Sequence, residues 1–175
     1  MQTSSSSSAA LPIAYAVLRT LIVANWIMGV AILTLLVISA NQPWIIAAFK
    51  LGASPDAERV IMGLRGIAVL GLIGIPLNYV VLKRLLAMVE TVRAGDPFVA
   101  ANAQRLHGIA WALLGLQLLS LTIGAIANAI SSPAHPVHLD AGFSISGWLA
   151  VILTFLLARV FAEGTLMRED LAGTV

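Results

Sequence analysis

Residues 66–99 read GIAVLGLIGIPLNYVVLKRLLAMVETVRAGDPFV, and the change of character within this stretch decides the fold. As far as Leu82 it carries no charge, and together with Val60 to Arg65 it reaches the roughly 20 residues that a helix needs to cross a bilayer core. From Lys83 the helical pattern continues, but Lys83, Arg84, Glu90 and Arg93 now alternate with Leu, Met and Val. This part is expected to project out of the membrane as a helical tail. Gly95-Asp96-Pro97 then ends it: Gly suits a helix end, Asp can cap the following helix, and Pro is tolerated at that helix's first position. Pro76 is an expected kink within the span.

Outward from this point the chain offers three more spans. The polar lead 1–10, with its run Ser4 to Ser8, is expected to be disordered, and a first span follows at about 11–40. Its length, and Ile38 two residues before Ala40, speak for a retained helix and against a cleaved signal peptide. The second span is 60–82. A third starts in water at Pro97, passes Gln104, Arg105 and His107, and is transmembrane over about 109–130. Ser131-Ser132-Pro133 stops it, and a fourth covers about 143–162. Between the first two spans, Pro43 to Lys50 is apolar but too short to cross, which suits an interfacial segment anchored by Trp44. The reading is therefore all-α: one four-helix transmembrane domain over 11–175, with a helical hairpin joining the second and third spans.

Composition agrees. Of the 175 residues, 59% are hydrophobic and 10% charged, with a mean hydropathy of +0.96, against about 25% charged in soluble domains. The lipid bilayer is the first partner implied. A net charge of +2 without a basic cluster gives no footprint for direct nucleic-acid binding. The absence of cysteine excludes disulfides and thiol chemistry.

Lys and Arg near span ends are retained in the cytoplasm. Arg19, Lys83, Arg84, Arg93, Arg105, Arg159 and Arg168 fall on the side of both termini and the hairpin, and only Lys50, Arg59 and Arg65 on the other. Both termini and the hairpin are thus expected to be cytoplasmic. Arg65, shallow in the second span, is expected to snorkel to the outer interface or to pair with Asp56 or Glu58.

Membrane helices associate through small residues and bonded polar side chains. Gln117, Ser120, Gly124 and Asn128 form such a stripe, as do Gly63, Gly71, Gly74 and Asn78, then Asn25 with Gly29, and Gly147, Ala150, Thr154 and Ala158. Asn25, Asn78, Gln117 and Asn128 are read as interior packing residues; the alternative is that they line a substrate path. Every Asp and Glu lies outside the spans or at their ends, which argues against a proton-coupled transporter.

His135 and His138, with Asp140, are weak metal candidates, since two imidazoles and a carboxylate lack a nameable fourth ligand. The spans hold no histidine pair for haem, and no phosphate loop or nucleophile elbow occurs. Neither an enzyme nor a cofactor is expected.

At the turn the chain reads Gly95-Asp96-Pro97-Phe98-Val99, then Asn102 and Arg105-Leu106; near its end it reads Val160-Phe161, Gly164, Leu166, Arg168-Glu169-Asp170-Leu171 and Gly173-Thr174-Val175. In these motifs it resembles the bacterial membrane family called domain of unknown function 2975. The resemblance implies four spans in the bacterial cytoplasmic membrane, and genes that often neighbour a small helix-turn-helix regulator of the Cro/CI type. The family commonly has an acidic residue near the exit of the fourth helix, where this chain has Arg159.

The expected function is a non-enzymatic regulator or sensor component that binds such a cytoplasmic DNA-binding regulator. Candidate contact residues are Arg84, Arg93, Asp96, Pro97, Phe98, Arg105, Arg168, Glu169 and Asp170. The competing reading of the same residues is packing, with Asp96-Pro97 as a cap, Phe98 under the turn and the tail along the hairpin. The alternatives from other classes are a small transporter or permease subunit working as a homo-oligomer, and a structural scaffold of a membrane complex.

Overall fold

The computed structural model describes residues 6–39, 55–131 and 139–172. These residues form four helices: α1 (Ser6–Ile38), α2 (Pro55–Arg93), α3 (Ala100–Ile130) and α4 (Ile145–Ala172). Each is long and apolar enough to cross a bilayer, and the chain is an all-α, multi-pass membrane protein. At 1.5 Å per residue the 39 residues of α2 extend about 58 Å, nearly twice the roughly 30 Å hydrocarbon core. The helices therefore overshoot the membrane.

Two helix ends add detail to the expectations. α1 begins at Ser6, inside the polar lead 1–10; lengthening an existing helix gains one hydrogen bond per residue fixed, so the polar start follows the apolar part. Arg65 Nη2 donates to the Ser39 carbonyl at the outer end of α1 and so satisfies one of that helix's last acceptors. Pro43 to Lys50, His135 and His138 lie outside the described residues. Asp140 is exposed, and the described residues hold no cluster of metal ligands.

The extensive contacts join chain neighbours, α1 on α2, α2 on α3 and α3 on α4. Along the α1–α2 seam, Tyr15 meets Arg93, Trp26 meets Tyr79, and the gap left at Gly29 admits Ile75. This antiparallel register sets Leu11 to Leu18 beside the polar end of α2 instead of its apolar span. Among the described side chains of α1, only Asn25 and Gly29 are buried.

The second glycine stripe divides between two neighbours. Gly71 faces Ile32 of α1, whereas Gly63 and Gly74 face Ile130 and Leu116 of α3. On the other flank of α3, a Cβ at Gly124 would stand 2.7 Å from the Ala141 carbonyl oxygen, and Gly147 of α4 lies against the Gln117 side chain. Ser144 caps α4, its Oγ accepting from the Gly147 N–H at 3.1 Å. Val81, Leu106, Ile109, Ala112 and Ala158 form the buried core, toward the α2–α3 turn.

Candidate functional site

The turn between α2 and α3 gathers most of the residues singled out in the sequence. Gly95 has φ +85°, and the N–H groups of Gly95 and Asp96 donate to the carbonyls of Val92 and Thr91 at 3.1 Å each. This is a Schellman ending, for which glycine is suited because a Cβ is penalised at positive φ. The helix stop read from Gly95 is therefore found where expected.

The start of α3 differs from the expectation. The helix begins at Ala100, its N-cap is Val99 in an extended conformation, and no side chain caps it. Asp96 is not the cap, and Pro97 lies ahead of the first turn. The Asp96 N–H closes the end of α2 and its carboxylate pairs with Arg168, so the residue is already engaged before α3 opens. The extended segment carries Phe98 to a stack on Phe161 of α4, ring centroids 5.3 Å apart.

Asn102, in the first turn of α3, ties this segment down. It is 1% exposed. Its Nδ2 donates to Thr91 Oγ1 and to the Pro97 carbonyl, both at 2.8 Å, and its Oδ1 accepts from Arg105 Nη1 at 2.8 Å. Arg105 also donates to the Ala87 carbonyl at 3.2 Å. Arg168 of α4 is ion-paired with Asp96 and donates to the Phe98 carbonyl at 3.3 Å. One buried amide and one arginine thus fasten α2, α3 and α4 together.

Arg84 and Arg93 are engaged as well. The Arg84 guanidinium lies over Gly108 of α3, in the space a side chain there would fill. Arg93 stands over the Tyr15 ring, 5.3 Å from its centroid. Glu169 and Asp170 belong to the last turn of α4. The role of Asn102 was not legible in the sequence, because it follows from the N-cap at Val99, three residues before it, from where its side chain reaches back to the incoming chain.

Of the interior amides, Asn25 donates to the Ile75 carbonyl at 3.1 Å and accepts from Asn78 Nδ2 at 2.9 Å. Gln117 is buried with its Nε2 unbonded. Asn128 is exposed, although Ser120 on the same stripe bonds Gly142; successive four-residue steps drift around a 3.6-residue helix. Asn25 and Asn78 border an open groove of about 610 Å³, floored by Gly74 and Leu116.

Over residues 39–175 the chain matches the family described as "Protein of unknown function (DUF2975)". The chain belongs to this family. The match takes in the turn and all of α2, α3 and α4, and leaves out α1. No curated protein and no solved structure matches the chain. For this DUF2975 protein the resemblance read from the turn and tail motifs is confirmed, and of those motif residues Gly95, Asp96, Phe98, Asn102, Arg105, Phe161 and Arg168 fasten the turn. The arrangement presents a preset backbone, an ion pair and exposed apolar side chains.

Proposed function

We propose that this DUF2975 protein is a non-enzymatic regulator or sensor component of the bacterial cytoplasmic membrane. Its termini and turn face the cytoplasm, and it holds there a soluble partner such as a small helix-turn-helix transcription regulator. The observation that carries the reading is the surface at the turn end. Phe98 in the turn and Leu166 and Met167 near the end of α4 are 48%, 60% and 64% exposed beside the Asp96–Arg168 pair.

Exposed apolar groups bounded by charges of both signs suit a specific protein contact, because charge complementarity selects the partner and speeds encounter. The Asn102 bonds hold the turn in shape before binding, which lowers the ordering cost. The excess of Lys and Arg on this side supports a cytoplasmic orientation. The amide pair Asn25–Asn78 is spent on holding α1 to α2, which favours packing over a transport path.

The test is co-purification of the tagged protein with a co-expressed small helix-turn-helix regulator. Leu166→Ser with Met167→Ser is expected to reduce capture about tenfold or more, as loss of a buried contact costs 1–2 kcal/mol or above, while the protein still inserts. Undiminished capture, or no capture by the unaltered chain, would sink the reading.

A further inference from the structure

A shallow groove of about 460 Å³ lies between α3 and α4 where both pass from apolar to polar sequence. Ala103, Ala158 and Ala162 leave the space, Phe155 forms its apolar wall, and Gln104, His107 and Arg159 form its polar rim. Trp111 fixes the depth. It is 57% exposed and packs edge-on against Phe155 at 5.5 Å and His107 at 6.3 Å. An exposed Trp with one polar edge belongs at the membrane–water boundary, so the groove stands at the level of lipid headgroups on the turn's side of the bilayer.

The polar groups on this rim, and Glu163 one helical turn beyond Arg159, are only partly used. Trp111 Nε1 donates to His107 Nε2 at 3.0 Å, which leaves the imidazole proton on Nδ1. Arg159 Nε donates to Glu163 Oε1 at 3.0 Å, and the two side chains are 80% and 54% exposed. Among the described residues, the Arg159 Nη1 and Nη2 fork, the Gln104 amide and the second Glu163 oxygen have no partner. A free guanidinium fork matches a phosphate, and one helical turn away a free carboxylate oxygen accepts from a cationic N–H.

A ligand of single charge is drawn to one of these groups and repelled by the other. A quaternary ammonium has no N–H to donate to Glu163. We propose that the groove binds a phospholipid with a phosphoethanolamine headgroup. Its phosphate is held by Arg159 and Gln104, its ammonium by Glu163, and its upper acyl chain lies over Phe155 and Trp111. This assignment is independent of the partner surface at the turn.

The test is lipid retention by the delipidated full chain, measured by native mass spectrometry. Phosphatidylethanolamine, phosphatidylglycerol and phosphatidylcholine of matched chains are offered at equal concentration. The unaltered chain should retain phosphatidylethanolamine about five- to tenfold over either competitor, the worth of one charge-assisted hydrogen bond at a partly wet site. Glu163→Gln should abolish that preference or turn it toward phosphatidylglycerol, and Arg159→Gln should lower retention of all three. Both positions are exposed, and unchanged helical circular dichroism shows that the fold persists. Glu58→Gln, at the opposite end of α2, should leave the pattern intact. Equal retention of the three lipids by the unaltered chain, or a phosphatidylethanolamine preference that survives Glu163→Gln, would overturn the assignment.

Discussion

Asn102 is the largest fully enclosed side chain among the described residues, and it is polar. Burying an amide is costly unless its donors and acceptor find partners, and here they close on Thr91, Pro97 and Arg105. Asn102→Ala should lower unfolding stability by about 2–4 kcal/mol, because the Pro97 carbonyl and Arg105 lose their partner in a dry site. Asn102→Asp separates the two roles of the amide. It keeps an acceptor for Arg105 but cannot donate to Pro97, so it should also destabilise; thermal melting in detergent reads both, and a melting point unchanged in Asn102→Asp would show that the donor bonds contribute nothing. Two glycines make a matched contrast. At Gly124 a Cβ meets backbone of the loop before α4, whereas at Gly108 it meets only the flexible end of Arg84. Gly124→Ala should therefore cost about 1–3 kcal/mol, and Gly108→Ala less than that, since the guanidinium can swing away.

At the scale of elements, the end of α4 is fastened to the turn by one exposed ion pair and one ring stack. Exposed pairs contribute about 0–1 kcal/mol, so Arg168→Asp should leave global stability almost unchanged. It should instead loosen α4 locally, raising hydrogen exchange at the amides following Gly164, and the reversed pair Asp96→Arg with Arg168→Asp should restore protection. Equal protection in the single variant and the unaltered chain would show that the Phe98–Phe161 stack alone holds the segment. Elements were also where sequence reading succeeded and failed for identifiable reasons. The spans were legible because twenty apolar residues have few other uses, and the stop at Gly95 because positive φ favours glycine. The start of α3 was not, because Asp96's aptitude as a cap competes with its ion pair to Arg168 and with the stack of Phe98 on Phe161, both made with a helix distant in sequence. The Ser39 carbonyl that accepts from Arg65 was not legible, because it lies across a long interhelix connection and is a backbone group, which no residue pattern marks.

For the whole molecule, four helices packed neighbour to neighbour in antiparallel order fix the parity of the topology: the turn at Gly95 lies on the opposite side from the loop leading into α4. Which side is cytoplasmic rests on the basic residues, and the charge rule is strongest for short connections such as this turn. The fold itself was legible as four spans, but the partition of glycine faces between neighbours was not, since a stripe shows what is small and not which helix it meets. Because the chain contains no cysteine, single cysteines report sidedness without background. Ala94→Cys and Leu139→Cys both fall on exposed positions at opposite ends of α3. An impermeant maleimide applied to intact cells or spheroplasts should label position 139 and spare position 94, and permeabilisation should expose both. The opposite pattern would reverse the orientation and remove the cytoplasmic partner from the proposed function while leaving the fold untouched. Labelling of both positions before permeabilisation would mean that α3 does not cross the bilayer, and would refute the four-span arrangement on which the headgroup groove and the partner surface both stand.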